Sequence, residues 1–328
     1  MTAGVVHVLG AAGFGGAQLA ALVDAHPHFA LGTITARADA GRRLVDVYPE
    51  YRVNKTLSEL DLEQIAPGDF AAVCYPHAEA SELVAALVDR GVRVVDVSAD
   101  YRLRDAGLYP DVYGFTHPRP DLLAEAVYGL PELHREQIRD ARLVANPGCF
   151  PTASLLTLLP VRDHVIHVVI DAKSGISGAG RTPTASVHYS AATENVTPYK
   201  VLTHRHTPEI VQELGQEVLF TPHLVAADRG LLVSCYGRFI GSTPEPEDLR
   251  EQYRSFYAEH PFVEIVDGPP GMRAVQRNNY AQVFVTTEPR RGLFVGFGVI
   301  DNLVKGAAGQ ALQNLNLMAG RPEVEGLA

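Results

Sequence analysis

Apolar runs in the N-terminal half of the chain alternate with segments whose apolar residues recur at helical spacing. The first run, Val5–Gly10, leads into a glycine-rich turn and then into a predicted helix over residues 17–27. Ala80–Gly91 has the pattern of a second helix, closed by its glycine. Further apolar segments of strand length cover 29–37, 69–76, 92–99 and 141–148. Strands that alternate with helices predict a parallel α/β sheet.

Extended runs dominate the rest of the chain. We predict strands over 165–175, 231–240, 280–288 and 293–301, with helices over 207–216 and 246–260. Runs of strands with few helices are typical of an α+β domain with a mixed or antiparallel sheet. Val304–Met318 has apolar residues at 304, 308, 311, 315 and 318, which predicts an amphipathic helix that ends before Gly320 and can pack back on the first domain.

The predicted fold class is therefore α/β, with a Rossmann-type dinucleotide-binding domain and a second, α+β domain. A length of 328 residues suits two domains better than one. We place the first domain over residues 1–148 plus 303–328 and the second over 149–302.

Composition narrows the classes of function. A hydrophobic content of 46% without an apolar run of about 18 residues predicts a globular protein with no membrane partner. The first ten residues lack the features of a signal peptide. A net charge of −10 disfavours a nucleic-acid surface but is compatible with a small anionic substrate. The three cysteines are scattered and odd in number, which favours a reducing cytoplasm, and they have no metal-site spacing.

The glycine-rich turn after the first strand is a candidate dinucleotide site. Gly10, Gly13 and Gly16 have GxxGxxG spacing at the first strand-to-helix turn, where a pyrophosphate would meet the helix N-terminus. Tight packing of helix on strand is the alternative explanation. The predicted cofactor-binding residues of this turn are Gly10, Ala12, Gly13, Phe14, Gly15 and Gly16.

The end of the second strand bears on the choice of cofactor. An NAD site would usually place a carboxylate there to bind the ribose 2′-hydroxyl, whereas this chain has Thr35 and Arg37. Arginine suits a 2′-phosphate, so the sequence favours NADP(H) over NAD. Asp39 lies close enough to keep NAD open, and Arg37 could be an ordinary surface residue.

Cys149 is the candidate nucleophile. It stands between Gly148 and a helix-like run whose first turn contains Pro151. A thiol there would lie at the positive end of the helix dipole, which favours the thiolate. Free cysteines are also often buried as packing residues, and the local sequence does not decide between the two. Cys74 and Cys235 lie inside apolar strands and are interpreted as packing residues.

The motif THRHTPEI supplies candidate acid–base groups. His204 and His206 precede a predicted helix with Thr207 as N-cap, and Glu209 lies one turn from His206, where it could orient the imidazole. Histidines in exposed loops are common, and glutamate in a first helical turn is ordinary. Together with Cys149, however, these residues provide the partner that thiol catalysis needs.

Further polar residues at strand ends are candidate ligand contacts. Ser177 and Gly178, in a loop of small residues that could lie against a cofactor ring, are predicted to bind the cofactor together with Asn302. A flexible loop is the alternative there. Lys305, in a predicted first helical turn, opposes the helix dipole unless an anion is bound. The predicted substrate-binding residues are Ser98, Arg102, Asn146, Arg181, His204, Arg205 and Lys305.

Seven motifs occur in order along nearly the whole chain: GAAGFGG, DVSADYRL, NPGCFPT, SGISGAGR, THRHTPEI, FTPHLV and IDNLVKGAAGQALQNLN. With this set the sequence resembles the N-acetyl-gamma-glutamyl-phosphate reductases, the arginine-pathway family of the aspartate-semialdehyde dehydrogenase superfamily. The resemblance implies NADPH-dependent reductive dephosphorylation of N-acetyl-L-glutamyl 5-phosphate to the 5-semialdehyde. It also implies a cytoplasmic homodimer or homotetramer, with the second domain binding substrate and forming the oligomer.

The resemblance assigns roles by motif. Cys149 resembles the family nucleophile, and His206, or less so His204, resembles its acid–base group, with Glu209 beside it. The implied route is attack of the thiolate on the acyl phosphate, followed by hydride reduction of the resulting thioester. We expect Cys149 to stand at the junction of the two domains.

Two positions depart from the family's pattern. Phe150 stands where the family usually has tyrosine, which removes a hydroxyl group, and Ala226 stands where proline is common, which affects only a local turn.

Three other functions remain open from the sequence. Aspartate-semialdehyde dehydrogenase shares the fold and the thiol chemistry. A lysine-pathway reductase acts on a carrier-bound aminoadipyl phosphate, although its cysteine motif lacks the NPGC form. A non-catalytic NADP-binding sensor is the alternative from a different class, but a sensor need not keep Cys149, His206 and Glu209 together.

Overall fold

The apolar runs of the N-terminal half form a six-stranded parallel sheet within residues 4–327, the part of the chain that the computed structural model describes. Residues 1–3 and 328, the outermost positions of the predicted first domain, lie outside the described residues. The strands are β1 (Gly4–Leu9), β2 (Phe29–Thr35), β3 (Phe70–Val73), β4 (Arg93–Asp96), β5 (Val127–Tyr128) and β6 (Leu143–Ala145). Their order is β2-β1-β3-β4-β6-β5.

Helices connect these strands. They are α1 (Phe14–Asp24), α2 (Leu44–Val47), α3 (Ser81–Asp89), α4 (Tyr109–Tyr113), α5 (Pro120–Glu125) and α6 (Pro131–Asp140). The helices at α1 and α3 were predicted, whereas α2, α4, α5 and α6 were not. All residues of β3 are buried, which is why this strand reads as a continuous apolar run. The strand order reverses between β1 and β3, and ligands of open α/β sheets bind at the carboxyl ends of strands beside such a point.

The chain divides into two compact units. The first comprises the chain up to Pro147 and from Ala307 onward, and the second is Gly148–Gly306. The C-terminal helix, α11 (Gly309–Met318), belongs to the first unit and packs on α1, α6 and β4.

The structure corrects the prediction of one amphipathic helix over Val304–Met318. Val304–Ala308 forms a π-helical turn, and every residue of the following α11 is buried, including its polar residues. The polar side chains are buried because they make hydrogen bonds within the unit: Gln310 Nε2 and Asn314 Nδ2 donate to the carbonyl of Gly129 at 2.8 and 2.9 Å.

A seven-stranded mixed sheet forms the second unit within residues 4–327, in the order β11-β12-β13-β10-β7-β9-β8. Its strands are β7 (Val165–Gly175), β8 (Val196–Pro198), β9 (Val218–Val225), β10 (Leu231–Phe239), β11 (Val263–Ile265), β12 (Ala281–Glu288) and β13 (Leu293–Ile300). Its helices are α7 (Cys149–Leu158), α8 (Tyr189–Ala192), α9 (Thr207–Leu214) and α10 (Pro246–Phe256). The α/β fold class with a second, α+β unit is confirmed, but β8, β9 and β11 were not predicted.

Helix α7 lies unusually close to the sheet. A Cβ atom added at Gly298 would stand 2.1 Å from Thr157 Oγ1, and one added at Gly296 would stand 2.8 Å from Thr157 Cγ2. The Tyr253 and Tyr257 hydroxyls donate to the carbonyls of Thr157 and Leu156 at 2.7 and 2.8 Å. These contacts hold the C-terminal end of α7 and thereby fix the direction in which its N-terminus points.

Within residues 4–327, no helix combines the length and the hydropathy that crossing a bilayer requires.

Candidate active site

Cys149 is the first residue of α7, with Gly148 as the N-cap, so the thiol lies at the N-terminus of a ten-residue helix, as predicted. Cys149 is half-buried. Burial raises the pKa of the Cys74 thiol to about 12, and burial also raises the pKa of the Cys235 thiol. Of the three cysteines, therefore, Cys149 has the position that favours a thiolate.

Glu209 holds the turn that precedes the nucleophile. Its side chain is fully buried on α9, and its Oε1 accepts a hydrogen bond from the Gly148 N–H at 2.8 Å. A carboxylate inside the protein requires such partners. Because this N–H is engaged, the candidate oxyanion donors at the start of α7 are those of Cys149 and Phe150.

The two predicted histidines pack together against Phe150. The rings of His204 and His206 are 4.7 Å apart, and the Phe150 ring lies 5.7 and 6.0 Å from them. The backbone N–H of His206 donates a hydrogen bond to His204 Nδ1 at 3.1 Å. Because Nδ1 is the acceptor, neutral His204 carries its proton on Nε2. Burial, and then the charges of Arg205 and Lys200, lower the pKa of His204 to about 3. His204 is therefore neutral at physiological pH.

The predicted N-cap of α9 was displaced by one residue. His206 is the N-cap and Thr207 the first helical residue, because the His206 carbonyl already accepts the Ile210 N–H at 3.0 Å.

The nucleophile and the histidines line one cavity of about 380 Å³ in the second unit. The predicted site residues among its lining are Cys149, Gly178, His204, Arg205 and His206. Two basic side chains, of Lys200 and Arg205, therefore face the same space as the thiol. This combination suits a substrate that carries negative charge beside an electrophilic carbon.

Sequence reasoning missed Tyr199 and Lys200. The Tyr199 ring lies 5.4 Å from that of His204. Burial, and then the negative charge of a Cys149 thiolate, raise the pKa of the Tyr199 phenol. Both residues belong to an irregular loop whose sequence has no periodicity, and the only available signal was an aromatic and a basic residue shortly before the histidine motif.

Ser177 and Asn302, two predicted cofactor contacts, hydrogen-bond to each other. Asn302 Nδ2 donates to Ser177 Oγ at 3.0 Å, and that hydroxyl donates to the Asp228 carbonyl at 2.6 Å. Gly178 follows, and a Cβ atom there would stand 2.7 Å from Ser174 Oγ. The structure thus gives these residues a role in shaping the loop, while their contact with a cofactor stays a prediction. Arg181 is exposed.

Lys305 was predicted to lie in the first turn of an α-helix, and the structure places it elsewhere. It is part of the π-helical turn Val304–Ala308 and is fully buried, with Nζ 5.7 Å from the centre of the Phe262 ring. The same turn presses Gly306 against the nucleophile, because a Cβ atom on Gly306 would stand 2.7 Å from Cys149 Cβ.

In the first unit, the glycine-rich turn has the properties of a phosphate cradle. Gly10 has φ +93°, and a Cβ atom on Gly16 would stand 2.4 Å from the Gly10 carbonyl oxygen, so both positions require glycine. Gly13 is the N-cap of α1, whose first turn contains no acidic residue. A helix N-terminus of this kind accepts an anion.

The other turn residues are held by Tyr48 or face open space. The Tyr48 hydroxyl donates to the Ala12 carbonyl at 2.8 Å, and its ring lies 6.1 Å from that of Phe14. A Cβ atom on Gly15 would meet nothing within 4 Å.

Thr35 and Arg37 are connected through Tyr75, which the sequence reasoning missed although it follows β3. Thr35 Oγ1 accepts the Gly10 N–H at 3.0 Å and lies 2.9 Å from the Tyr75 hydroxyl. The Arg37 guanidinium stands 5.2 Å from the centre of the Tyr75 ring and forms an ion pair with Glu79.

Ser98, Arg102 and Asn146 lie just beyond the carboxyl ends of β4 and β6. Arg102 Nε donates to the Asn146 carbonyl at 2.7 Å, and Ser98 Oγ accepts the Asp100 N–H at 3.1 Å. Asn146 is fully buried, and its Oδ1 accepts a hydrogen bond from Asn314 Nδ2 at 3.1 Å. These contacts give the three residues structural roles, and substrate contact stays a prediction.

The fold and both sites define a nucleotide-dependent enzyme of the semialdehyde dehydrogenase class. Residues 5–141 match the family model described as semialdehyde dehydrogenase, NAD binding domain, and residues 149–302 match semialdehyde dehydrogenase, dimerisation domain. Aspartate semialdehyde dehydrogenase II from Vibrio cholerae has a similar fold, with a TM-score of 0.72 and 18% identity over 97% of this chain and 98% of that chain. Aspartate semialdehyde dehydrogenase with NADP from Candida albicans also has a similar fold, with a TM-score of 0.72 and 15% identity over 96% of this chain and 98% of that chain.

Curated relatives specify the family. N-acetyl-gamma-glutamyl-phosphate reductase from Dehalococcoides mccartyi (strain CBDB1) is 44% identical over 98% of this chain and 96% of the relative. The proteins of the same name from Heliobacterium modesticaldum and Methanosphaera stadtmanae are 41% and 38% identical over 98% of this chain, and 97% and 96% of their own lengths are covered. The chain belongs to the N-acetyl-gamma-glutamyl-phosphate reductase family.

Proposed function

We propose that this chain reduces N-acetyl-L-glutamyl 5-phosphate to N-acetyl-L-glutamate 5-semialdehyde with NADPH, a step of arginine biosynthesis. The observation that carries the proposal is the cavity of about 380 Å³ in which Cys149, at the start of α7, shares the lining with His206, Lys200 and Arg205. The names of the relatives support the choice of substrate.

Residues 1–148 plus 303–328 are proposed as the NADP(H)-binding domain. The turn from Gly10 to Gly16 would hold the pyrophosphate against the N-terminus of α1, and Arg37 would bind the 2′-phosphate. The residues fit this group, because Gly10 and Gly16 keep the backbone open where any side chain would collide. Residues 149–302 are proposed to bind the substrate, with Ser177, Gly178 and Asn302 facing the cofactor.

The proposed reaction proceeds through a thioester. The Cys149 thiolate attacks the acyl carbon, a carbon–sulfur bond forms, and inorganic phosphate departs with the electron pair of the broken carbon–oxygen bond. NADPH, when bound, would supply the hydride that reduces the thioester. Cys149 then holds a tetrahedral thiohemiacetal, which loses the thiolate to give the aldehyde. The N–H groups of Cys149 and Phe150 are candidate donors to the oxyanion.

His206 is proposed as the acid–base group and His204 as its support. His204 has a pKa of about 3, so it is a poor proton acceptor at neutral pH. Its Nδ1 instead accepts a hydrogen bond from the backbone N–H of His206 and so positions that residue. His206 would donate a proton to the oxygen of the tetrahedral intermediate and take it back as the carbon–sulfur bond breaks to give the aldehyde. Glu209 would fix the turn of the nucleophile.

Arg205 and Lys200 are proposed to bind the anionic groups of the substrate, since both line the cavity. The other proposed substrate contacts are Ser98, Arg102, Asn146, Arg181 and Lys305. The burial of Arg102, Asn146 and Lys305 supports an additional role in holding the fold around the sites.

A cytoplasmic homodimer or homotetramer is also proposed. The family model that covers 149–302 is described as a dimerisation domain, which supports self-association. Light scattering on the purified protein would measure the oligomer, and a monomer at assay concentration would refute this part of the proposal.

The activity is tested by NADPH consumption with N-acetyl-glutamyl phosphate, with aspartyl phosphate as the competing substrate. We expect turnover with the first and little with the second. Cys149→Ser should abolish turnover while NADPH still binds, whereas Cys74→Ala, at a thiol with a raised pKa, should remain active. Retention of more than about a tenth of the activity in Cys149→Ser would rule out the covalent route.

A further inference from the structure

The cavity that Arg37 lines in the first unit has an unexpected charge distribution. This cavity of about 340 Å³ is lined by Arg37 and Tyr75, but also by two carboxylates, Glu59 and Glu79. Glu79 forms an ion pair with Arg37. The guanidinium that would attract a 2′-phosphate is therefore already bound to an acid that belongs to the protein.

Tyr75 positions Arg37, the residue for which Glu79 and a 2′-phosphate would compete. Its ring lies beneath the guanidinium, 5.2 Å from the Arg37 Cζ atom, and its hydroxyl lies 2.9 Å from Thr35 Oγ1. Thr35 in turn accepts the N–H of Gly10. Arg37 thus rests on a platform that is tied to the glycine-rich turn, while Glu79 approaches it from the loop before α3.

The ion pair can be displaced at little cost. The Arg37 and Glu79 side chains are 69% and 40% exposed, and ion pairs this exposed contribute little to stability. A phosphate monoester carries a charge of about −1.5 to −2 and binds arginine in a bidentate manner, so it can replace a single carboxylate. The released Glu79 then remains as a negative charge beside the phosphate. When the cofactor carries a 2′-hydroxyl instead, the Glu79 carboxylate can accept a hydrogen bond from it, so Glu79 does not weaken the binding of that cofactor.

We propose that Glu79 is a specificity-determining residue, which competes with the cofactor 2′-phosphate for Arg37 and so narrows the preference of the site for NADPH over NADH. This inference rests on the proposed cofactor function. Arg37 alone would make the site strongly selective for the phosphate. With the Arg37–Glu79 pair, the preference of the site for the phosphate is smaller.

Dissociation constants of NADPH and NADH, measured by calorimetry without substrate, test this role. In Glu79→Gln we expect NADPH to bind about three- to tenfold more tightly than in the wild type, with NADH unchanged or weaker. Glu59→Gln is the matched control, since it removes a charge from the same cavity but not from the ion pair. It should shift the ratio of the two constants less than Glu79→Gln does.

A double-mutant cycle with Arg37→Gln separates the pair from general charge. In the Arg37→Gln background only the solvent-screened repulsion between Glu79 and the phosphate remains, so Glu79→Gln should tighten NADPH binding by less than about twofold. Equal ratios of the constants in wild type, Glu79→Gln and Glu59→Gln, or the same gain in the Arg37→Gln background, would overturn the proposal while leaving the proposed function intact. A wild-type protein that binds neither nucleotide would instead overturn the proposed function and this inference with it.

Discussion

Gly306→Ala places a methyl group against the nucleophile. The added Cβ would stand 2.7 Å from Cys149 Cβ and 3.3 Å from both Cys149 Cα and the Asp301 carbonyl oxygen. Non-bonded carbon atoms need about 3.5 to 4.0 Å, so either the π-helical turn or the first residue of α7 must move by roughly 1 Å. Gly306 has a backbone conformation open to alanine, so this overlap is the principal effect of the change.

A displacement of this size matters more for chemistry than for folding. Misplacing a reacting group by about 1 Å can cost about a hundredfold in rate, whereas overpacking costs about 1–3 kcal/mol of stability. We therefore expect kcat to fall about a hundredfold in Gly306→Ala, with a folded protein and a slower alkylation of Cys149 by iodoacetamide.

Gly271→Ala is the control in the same unit. A Cβ atom there meets nothing within 4 Å, so kcat, alkylation rate and melting temperature should match the wild type. If kcat of Gly306→Ala lies within about threefold of the wild type, the close contact does not set the position of the thiol and the reasoning is refuted.

Three further changes test other parts of the structure. Glu209→Ala removes the acceptor of the buried Gly148 N–H and should lower stability by about 1–3 kcal/mol and reduce kcat. Glu209→Gln keeps an acceptor, so its losses of stability, measured by thermal melts, and of kcat should be smaller. Equal losses in the two variants would contradict the positioning role. Burial, and then the charge of Asp100, raise the pKa of Asp96 to about 7, so the folded state holds a proton that the unfolded state releases, and stability should fall as pH rises from about 4 to 7. Asp96→Asn should remove that decline. If the slope of melting temperature against pH is the same in this variant as in the wild type, Asp96 does not hold the proton. Gly16→Ala drives a Cβ to within 2.4 Å of a carbonyl oxygen and should weaken NADPH binding by about tenfold or more, measured by titration, whereas wild-type affinity would show that the turn can shift without cost.

Five of the six strands of the first sheet could be predicted from their apolar runs, whereas β5, only two residues long, was missed. β1 and β3 show such runs directly, and their bounds differ from the predicted ones by a few residues at most. In the second unit, β7 occupies the predicted range Val165–Gly175.

β9 escaped prediction because Pro222 interrupts it. Proline removes a ladder hydrogen bond and argues against a central strand. Here the neighbouring strand β8 is short, and its ladder ends at the pair Pro198–His223. Beyond it, Pro222 takes part only as an acceptor, since its carbonyl accepts the Tyr199 N–H at 3.1 Å. The sequence does not reveal that a neighbour is short.

The local geometry of the site was predictable and its long-range contacts were not. Glycine before Cys149 and proline after it predict a helix start at the thiol, which the structure confirms. The hydrogen bond from Gly148 to Glu209, however, joins positions 61 residues apart in the chain. The motif suggested His206 as the neighbour of Glu209, since a short segment shows only what lies within one helical turn.

The return of α11 to the first unit constrains the order in which the protein can be made. Gly129 and Asn146, on the N-terminal side, accept hydrogen bonds from Gln310 and Asn314, which leave the ribosome only after all of Gly148–Gly306. Until then, buried acceptors of the nucleotide-binding unit lack their native donors. The second unit is continuous in sequence and can complete its fold first, so the half of the protein that is synthesised earlier is the half that matures last.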